Sequence, residues 1–280
     1  MSIPFVKLQA LRNDFVVVDG RAVPVPDPAG LARILCDRKE GVGADTLLLL
    51  HRSEEADLLV RIFNPDGSEA EMCGNGVRMV ARKLRMEGSI DHDTVVLETA
   101  AGEIVPTLLD GYLVRVDMGT ARFGGPKLEL PTEEAVAGSL QAAGRTFTFT
   151  FVDVGNPHCI IESPWPLDLV PLGEVGPMIE THKFFPERTN VEFVTVDDEH
   201  RAGMRVWERG VGETTACGTG ATATAAALVR LGLCSSPVTV RLPGGEIVVD
   251  VESDYHVFMT GPAEEVYHGD CSGEFLRRLA

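Results

Sequence analysis

The sequence predicts a mixed α+β fold of two pseudo-symmetric halves, each a strand barrel wrapped around one central helix. Three observations predict this fold. The chain matches itself when shifted by 144 residues. Both halves are rich in short β-branched and apolar runs, which are typical of strands. Each half also contains one helix-like run that ends at glycine, a common helix stop.

The repeat consists of matching segments in the same order along the chain. At an offset of 144 residues, 61–64 aligns with 205–208, Glu69 with Glu213 and Cys73 with Cys217. At an offset of 143 residues, 13–17 aligns with 156–160 and 101–105 with 244–248. This period is far longer than the roughly 20–50 residues of solenoid repeats. It therefore predicts a duplicated domain.

Strands are predicted wherever β-branched and apolar residues dominate a short run. These runs are 15–19, 46–50, 58–63, 94–99 and 112–117 in the first half, and 147–154, 159–162, 191–196, 203–207, 238–242 and 246–251 in the second. The helix-like runs are 77–88 and 221–232. The second is nearly all Ala, Thr, Leu and Val, and a helix that is apolar on every face is buried. A buried helix among strands predicts a sheet curled around it.

The predicted halves meet in the glycine-containing segment 117–125, where the strand pattern breaks. The first half is 1–117 and the second is 118–262. From its position, the tail 263–280 is expected to return to the first half.

The composition of the chain restricts its possible partners and its location. The chain has 280 residues, is 44% hydrophobic and has a net charge of −17, which argues against nucleic acid and anionic membranes as partners. No apolar run approaches the roughly 20 residues that cross a bilayer. The first residues lack the pattern of a secretory signal. We therefore expect a cytoplasmic protein.

The six cysteines separate into two groups. None forms a C-x-x-C pair and no histidines cluster near them, so neither a zinc site nor a disulfide framework is expected. Free cysteine is mostly a small buried hydrophobe. That interpretation applies to Cys36, Cys159, Cys234 and Cys271. Cys73 and Cys217 differ because each is followed by Gly-x-Gly and then a helix-like run.

A cysteine at a helix start has a specific chemistry. The first amides of a helix are unpaired donors, and the helix end has a partial positive charge. Such an end binds a carboxylate and is expected to lower the pKa of a thiol placed there. Two facing ends would hold one carboxylate between two thiols, so that one removes an α-proton and the other returns a proton on the opposite face.

Two other interpretations of the paired motifs stay open. Each motif can be a tight turn before a buried helix, with a buried cysteine, but two such turns at matching positions weaken this interpretation. One cysteine can instead be a nucleophile that forms a covalent intermediate. That mechanism leaves the duplicate motif unexplained.

The segments around the two cysteines resemble the two signatures of the diaminopimelate epimerase family. They are Phe-Asn-Pro-Asp-Gly-Ser-Glu-Ala-Glu-Met-Cys-Gly-Asn-Gly at 63–76 and Trp-Glu-Arg-Gly-Val-Gly-Glu-Thr-Thr-Ala-Cys-Gly-Thr-Gly at 207–220. Family-like segments at 13–15, 41–45 and 155–158, and Asn190, stand in the expected order. The resemblance thus covers the whole chain.

The resemblance implies interconversion of LL- and meso-diaminopimelate, in lysine and peptidoglycan synthesis, without pyridoxal phosphate or any other cofactor and without metal. It implies an active site in the cleft between the halves, and a homodimer. Cys73 and Cys217 would be the two bases, with His158 and Glu208 tuning their pKa. The remaining residues would bind substrate: Asn13, Thr46, Asn64, Gly74, Asn75, Asn156, Asn190, Glu208, Arg209, Gly218 and Thr219.

Two of these binding residues lie where the sequence departs from the family. The family usually has His-Gly-Leu-Gly before Asn13, whereas this chain has Gln-Ala-Leu-Arg at 9–12. Ala10 and Arg12 resist a positive φ, so the family's loop conformation does not carry over by sequence alone. Thr46 replaces the family's glutamine and is too short to make all of its contacts. These departures also admit a different substrate.

Three functions therefore remain at this point. The first is diaminopimelate epimerization. The second is racemization of another amino acid by a related cofactor-independent enzyme, and the third is a non-catalytic or isomerase-like relative that uses the same cleft for binding. The two intact cysteines argue against the third. A pyridoxal enzyme needs a Schiff-base lysine, and no lysine here lies in a suggestive motif.

Overall fold

A computed structural model describes residues 2–70 and 74–279. The chain divides into two compact units, residues 1–116 with 261–280 and residues 117–260. The strands β9 and β18, whose bounds follow, contain the two points where the chain passes from one unit to the other. No helix in the described part of the chain is long and apolar enough to cross a membrane.

In the first part of the chain the elements are β1 Ile3–Ala10, β2 Asn13–Asp19, α1 Pro28–Cys36, β3 Thr46–His51, β4 Leu58–Phe63, β5 Glu69–Ala70, α2 Gly74–Met86, β6 Leu97–Thr99, β7 Gly102–Ile104, β8 Pro106–Leu108 and β9 Leu113–Thr120. The first sheet has the strand order β19-β1-β2-β3-β4-β6-β7, where β19 is Glu264–Cys271 from the C-terminal segment. Strand β5 pairs with β4 beside this path.

The second unit repeats these elements. They are β10 Gly138–Ala142, β11 Arg145–Asp153, β12 Pro157–Glu162, α3 Leu172–Glu180, β13 Asn190–Asp198, β14 Arg201–Glu208, β15 Gly212–Thr214, α4 Gly218–Arg230, β16 Val238–Leu242, β17 Gly245–Val251 and β18 His256–Pro262. The C-terminal segment contains α5 Gly273–Leu276, which a short 3-10 helix at Arg277–Leu279 follows. In the second unit the strand order is β10-β11-β12-β13-β14-β16-β17-β18, and β15 pairs with β14.

The strand pairing confirms the internal repeat. In the first unit β2 and β3 are parallel with Phe15 opposite Thr46, and in the second β12 and β13 are parallel with His158 opposite Asn190. In each unit the next strand is antiparallel, forms a hairpin with a short strand, and pairs in parallel with the strand that follows the central helix. The predicted α+β fold with two similar halves is therefore correct.

Helix α4 is the centre of the second unit. All residues from Gly220 to Leu228 are buried, and the helix contacts β11, β12, β13, β14, β16 and β17. The predicted burial of this helix is confirmed. Helix α2 lies in the first unit against β1, β2, β8 and β19, with most of its residues buried.

The sequence patterns missed a second helix in each unit. Helices α1 and α3 have nine residues each and start 144 residues apart. Glycine and proline are frequent in both, which lowers their intrinsic helix propensity. Packing stabilises them instead, since Leu31 and Leu35 belong to one hydrophobic core and Val175 and Ile179 to another.

Candidate active site

Cys217 is the N-cap residue of α4. Its backbone is extended, with φ −131° and ψ 110°, and its Sγ accepts a hydrogen bond from the Gly220 amide at 3.4 Å. The Thr219 hydroxyl oxygen lies 3.5 Å from Sγ. Since the first amides of a helix have no partner within the helix, this end of α4 can donate to an anion. The thiol thus lies at a helix start, as the sequence predicts.

The expected lowering of the thiol pKa is wrong for Cys217. Its side chain is buried, and burial raises the pKa of the thiol well above the ordinary value. The carboxylates of Glu208 and Glu192 raise it further, whereas hydrogen bonds from Thr219 and Gly220 lower it. Loss of solvation disfavours the thiolate more than the helix end favours it. Cys217 is therefore a neutral thiol at neutral pH in this structure.

A buried histidine and a buried glutamate lie beneath the start of α4. His158 Nδ1 is 2.7 Å from Glu192 Oε1, and neither side chain is exposed. Burial raises the pKa of Glu192, while the charge of His158 and its hydrogen bond lower it. A Cβ atom on Gly220 would lie 2.8 Å from Glu192 Oε1, so this glycine allows the carboxylate to approach the helix.

Hydrogen bonds connect this pair to the thiol. His158 Nε2 is 3.0 Å from Asn156 Oδ1, and Asn156 Nδ2 donates to Thr219 Oγ1 at 3.3 Å. Because Asn156 donates to this hydroxyl, the hydroxyl proton of Thr219 is available to Cys217 Sγ. The predicted residues Asn156, His158, Thr219 and Cys217 therefore form one continuous cluster, with Glu192 at its buried end.

Asn190 holds two backbone segments of the second unit. Its Nδ2 donates to the carbonyl of Pro157 at 2.8 Å, and its Oδ1 accepts from the Arg209 amide at 2.9 Å. The Arg209 side chain is exposed and donates one bond, to the carbonyl of Glu187 at 3.1 Å. The guanidinium is thus partly anchored and has further donors available to a ligand.

The hairpin of β14 and β15 presents Glu208 and Arg209. Glu208 is half-buried and accepts a hydrogen bond from the Thr214 hydroxyl. Buried Glu180 anchors the turn, since it accepts from the Gly210 amide at 3.0 Å and from the Trp207 indole at 2.7 Å. Glu180, the last residue of α3, thereby holds the hairpin turn that presents both predicted residues.

In the first unit, two predicted residues contact each other. Asn75 Nδ2, near the start of α2, donates to Asn13 Oδ1 at 3.0 Å. Asn13 begins β2 after a two-residue turn in which Leu11 and Arg12 have φ of 55° and 68°. Arg12 thus adopts a positive φ, which a non-glycine residue is expected to resist. The cost of about 1–2 kcal/mol per residue is offset by surrounding contacts.

Asn64 and Thr46 are separate from that contact. Asn64 directly follows β4 in the hairpin with β5. Its side-chain Nδ2 donates to Ser68 Oγ at 2.9 Å, and its backbone amide donates to the Ser68 carbonyl. Thr46 is buried at the first position of β3.

The remaining predicted residues lie at or before the central helices. Gly74 begins α2 and Gly218 begins α4. Cys73, the other predicted base, lies outside the described residues.

Comparison with protein families identifies the family of this chain. The model of the diaminopimelate epimerase family matches residues 5–124 and 150–266, which is most of the chain. The chain belongs to the diaminopimelate epimerase family.

Named relatives extend over nearly the whole chain. The diaminopimelate epimerase of Pelotomaculum thermopropionicum is 47% identical, over 95% of this chain and 98% of its own length. That of Synechococcus elongatus is 44% identical, over 96% and 98%. The chloroplastic diaminopimelate epimerase of Oryza sativa is 44% identical, over 96% of this chain and 80% of its own.

Solved structures resemble the fold at low sequence identity. A phenazine biosynthesis protein of the PhzF family from Bacillus anthracis has a TM-score of 0.71 at 17% identity, covering 97% of this chain and 99% of its own. A hydroxyproline epimerase from Agrobacterium vitis has a TM-score of 0.65 at 16% identity, covering 96% and 92%. These likenesses concern the two-domain fold alone.

Four charged residues near the predicted site residues of this diaminopimelate epimerase family member were not predicted from the sequence: Asp45, Arg78, Glu180 and Glu192. Asp45 and Arg78 stand inside or next to family-like segments, and Glu192 follows Asn190 by two positions on the same face of β13. For Arg78 and Glu192 the available signal was a charged residue inside a helix or strand, because such residues are rarely buried without a partner.

The other thiols of the family member match the sequence interpretation. Cys36, Cys159, Cys234 and Cys271 are buried free cysteines. Burial raises the pKa of Cys36 to about 12 and that of Cys271 to about 11. Within 2–70 and 74–279, no three His, Cys, Asp or Glu side chains are grouped so that they could hold a metal ion.

Proposed function

We propose that this chain interconverts LL- and meso-diaminopimelate by moving the α-proton between two thiols, Cys73 and Cys217, without pyridoxal phosphate or metal. One observation carries the proposal: in a member of this family, Cys217 caps a buried helix and is hydrogen-bonded through Sγ to the Gly220 amide. Removal and return of a proton by two separate groups inverts the stereocentre, and the reverse reaction exchanges their roles.

The raised pKa of Cys217 supports a role as proton donor in the resting protein. A thiol that is neutral at pH 7 has a proton to give to the α-carbon. Cys73 would then begin as the base. After one turnover the roles are exchanged, so the neighbouring donors Thr219 and the Gly220 amide must also stabilise a Cys217 thiolate.

The remaining predicted residues are proposed to bind substrate. The amides at Gly74, Asn75, Gly218 and Thr219 would hold the reacting carboxylate at the two helix starts. Arg209 would pair with the distant carboxylate and Glu208 with the distant ammonium group. Asn13, Asn64, Asn156 and Asn190 would complete the site, together with Thr46.

Several wider features belong to the same proposal. The duplicated halves would be 1–117 with 263–280 and 118–262. Diaminopimelate would be the small-molecule substrate. The reaction would serve lysine and peptidoglycan precursor synthesis in the cytoplasm. A homodimer is expected from the family. The net charge of −17 argues against nucleic acid as a partner.

The test uses purified reduced protein and LL-diaminopimelate with no added cofactor. Wild type is expected to form meso-diaminopimelate. Cys73→Ala and Cys217→Ala should each lower kcat by about 10²–10⁴-fold, the usual contribution of a general acid or base. Cys234→Ala is the matched control, since this thiol is also buried in the second unit, donates to the Asp198 carbonyl and has no predicted role in the site, so kcat should stay unchanged.

Other outcomes would redirect the proposal. Full inversion by either alanine variant would overturn the two-thiol mechanism. Inversion of proline, glutamate or histidine instead of diaminopimelate would assign the chain to a different amino-acid racemase. That result would point to Thr46 and the turn at 9–12, where the sequence departs from the family.

A further inference from the structure

A fully buried arginine lies in the first turns of α2. Arg78 has no exposed surface, and it is the largest fully buried side chain among the described residues. Its Nη2 donates to Asn75 Oδ1 at 2.6 Å. A guanidinium has only donors, so the oxygen of the Asn75 amide must face Arg78 and the nitrogen must face away.

The amide nitrogen of Asn75 continues a directed chain. It donates to Asn13 Oδ1 at 3.0 Å, and Asn13 Nδ2 donates to Asp45 Oδ2 at 3.0 Å. An ionised carboxylate only accepts, so Asp45 fixes the Asn13 amide from the other end. Rotation of either amide by 180° would place two donors or two acceptors against each other. Arg78 and Asp45 therefore determine both amide orientations.

Asp45 is itself held in place. Arg38 Nη2 donates to its Oδ1 at 2.7 Å, and the Asp14 amide donates to its Oδ2 at 3.1 Å. In return, the Asp45 amide donates to Asp14 Oδ1 at 3.0 Å. These bonds fix the carboxylate at the end of the chain. They also tie the start of β2 to the segment before β3, across the turn at Leu11 and Arg12.

At the other end of this chain of hydrogen bonds, the guanidinium of Arg78 needs space. A Cβ atom on Gly261 would overlap Nη1 of Arg78. Gly261 therefore has a packing role that its backbone conformation does not require. Both ends of the chain are thus prepared by residues that lie outside the predicted site.

We propose that Arg78 and Asp45 are positioning residues for the substrate-binding asparagines Asn75 and Asn13. This inference rests on the proposed function, because it assumes that the side-chain amides of both asparagines contact the substrate, that of Asn75 in addition to its backbone amide. With the orientation fixed, each amide nitrogen keeps one further N–H and each amide oxygen keeps one further lone pair. The two free N–H donors suit an anionic oxygen group such as a carboxylate.

Asp45 gives a test that does not depend on altering the core. Its side chain is 41% exposed. In Asp45→Asn the side-chain oxygen can still accept from Asn13 and from the Asp14 amide, and only the bond from exposed Arg38, which keeps its pairing with Asp14, is lost. KM for LL-diaminopimelate should therefore stay within about twofold of wild type. Asp45→Ala removes the acceptor and should raise KM about tenfold or more, with a smaller change in kcat. Equal KM values for the two variants would overturn the assignment of Asp45.

Arg78→Met removes the donor at the buried end, and Arg82→Met in the same helix is the matched control. Arg82 is half-buried one turn away. Arg78→Met should raise KM about tenfold in the wild-type background but less than twofold in an Asn75→Ala background, because Arg78 acts through Asn75. An equal increase in both backgrounds, or the same effect from Arg82→Met, would show a merely structural role.

A readout without substrate separates this inference from the proposed function. Solvent exchange of the Asn13 and Asn75 side-chain amide protons, followed by NMR, should accelerate at least about tenfold in Asp45→Ala and Arg78→Met but not in Asp45→Asn. If these exchange rates respond as expected and no epimerization occurs, the proposed function fails while the positioning role stands. Unchanged exchange rates in both variants would overturn the positioning role.

Discussion

At the residue scale, the environment of Cys217 decides its protonation. A helix start favours a thiolate by a few tenths of a kcal/mol to about 1 kcal/mol at exposed sites. Burial and two nearby carboxylates act in the opposite direction, and they dominate here. The sequence contains the helix start but not the burial, so it predicts the wrong sign of the pKa shift. Of the two carboxylates, Glu208 raises the pKa of Cys217 more than Glu192 does.

Replacement of Glu208 tests that balance. Glu208→Gln removes a negative charge near the thiol, which should stabilise the thiolate and lower the pKa of Cys217. The measurement is the pH dependence of alkylation of the Cys217 peptide, read by mass spectrometry. Its midpoint should move to lower pH, while Cys36 and Cys271, which lie elsewhere with pKa values of about 12 and 11, stay unmodified at pH 8. An unchanged or higher midpoint would contradict the account.

Asp14 links a single carboxylate to the stability of the first unit. Burial acts to raise the pKa of Asp14, but hydrogen bonds from Arg38 and Lys7 outweigh burial and hold the pKa well below its ordinary value. A carboxyl with a lowered folded pKa contributes stability above its unfolded pKa of about 3.9 and loses it as pH falls toward the folded value.

Asp14→Asn should therefore lower Tm clearly at pH 7, and its difference from wild type should shrink progressively below about pH 4. Thermal unfolding measured from pH 7 to pH 2.5 follows this difference. Asp110→Asn, at an exposed turn of the same unit, is the control and should have little effect at any pH. A Tm difference for Asp14→Asn that does not change with pH would exclude the linkage.

The paired cysteines, the asparagines and Arg209 could be singled out from sequence, because motif and repeat mark them. Arg78 and Glu192 each interrupt an apolar pattern, which marks them, but their roles could not be predicted because these depend on partners brought near by packing. The turn before Asn13 also differs from expectation. Leu11 and Arg12 adopt a positive φ there because the chain from Arg78 to Asp45 and the pairing of β1 with β2 fix the turn.

At the element scale, the hairpins before the two central helices are duplicated in detail. Arg61 binds Glu69 through two hydrogen bonds of 2.7 Å, and Arg205 binds Glu213 through bonds of 2.9 and 2.7 Å. Arg61 and Arg205 are 144 positions apart, and so are Glu69 and Glu213. The alignment at this offset therefore predicted a structural correspondence, although pairing of the side chains required the hairpin register.

The start of α4 depends on a glycine for packing. Gly220→Ala would place a Cβ 2.8 Å from Glu192 Oε1 and 3.3 Å from Cys217 Sγ, so the first turn or the buried carboxylate must shift. We expect a loss of about 1–3 kcal/mol in the free energy of unfolding, as in other overpacked cores. Denaturant titration measures this loss.

Gly173→Ala provides the matched comparison in α3. This glycine is exposed, has no neighbour within 4 Å of a new Cβ, and lies near a helix start. Alanine there should leave stability unchanged or raise it by up to about 1 kcal/mol, from helix propensity. Similar changes in stability for the two variants would contradict the packing role of Gly220.

At the scale of the whole molecule, two copies of one backbone plan contain different buried charges. The second unit has His158 and Glu192 near its central helix, and the matching positions of the first unit hold Phe15 and Leu48. The first unit has buried Arg78, where the second has Thr222. The repeat in the sequence predicted the shared plan. The difference in charge became interpretable only when burial was known.

The central claim is that two different groups remove and return the α-proton. Incubation of LL-diaminopimelate in deuterated water, stopped within the first turnovers, tests it most directly. A two-thiol mechanism predicts that meso product carries deuterium at the inverted carbon while remaining LL substrate carries almost none, because each thiol keeps the proton it abstracts. Early product that retains the substrate's own proton would contradict the claim.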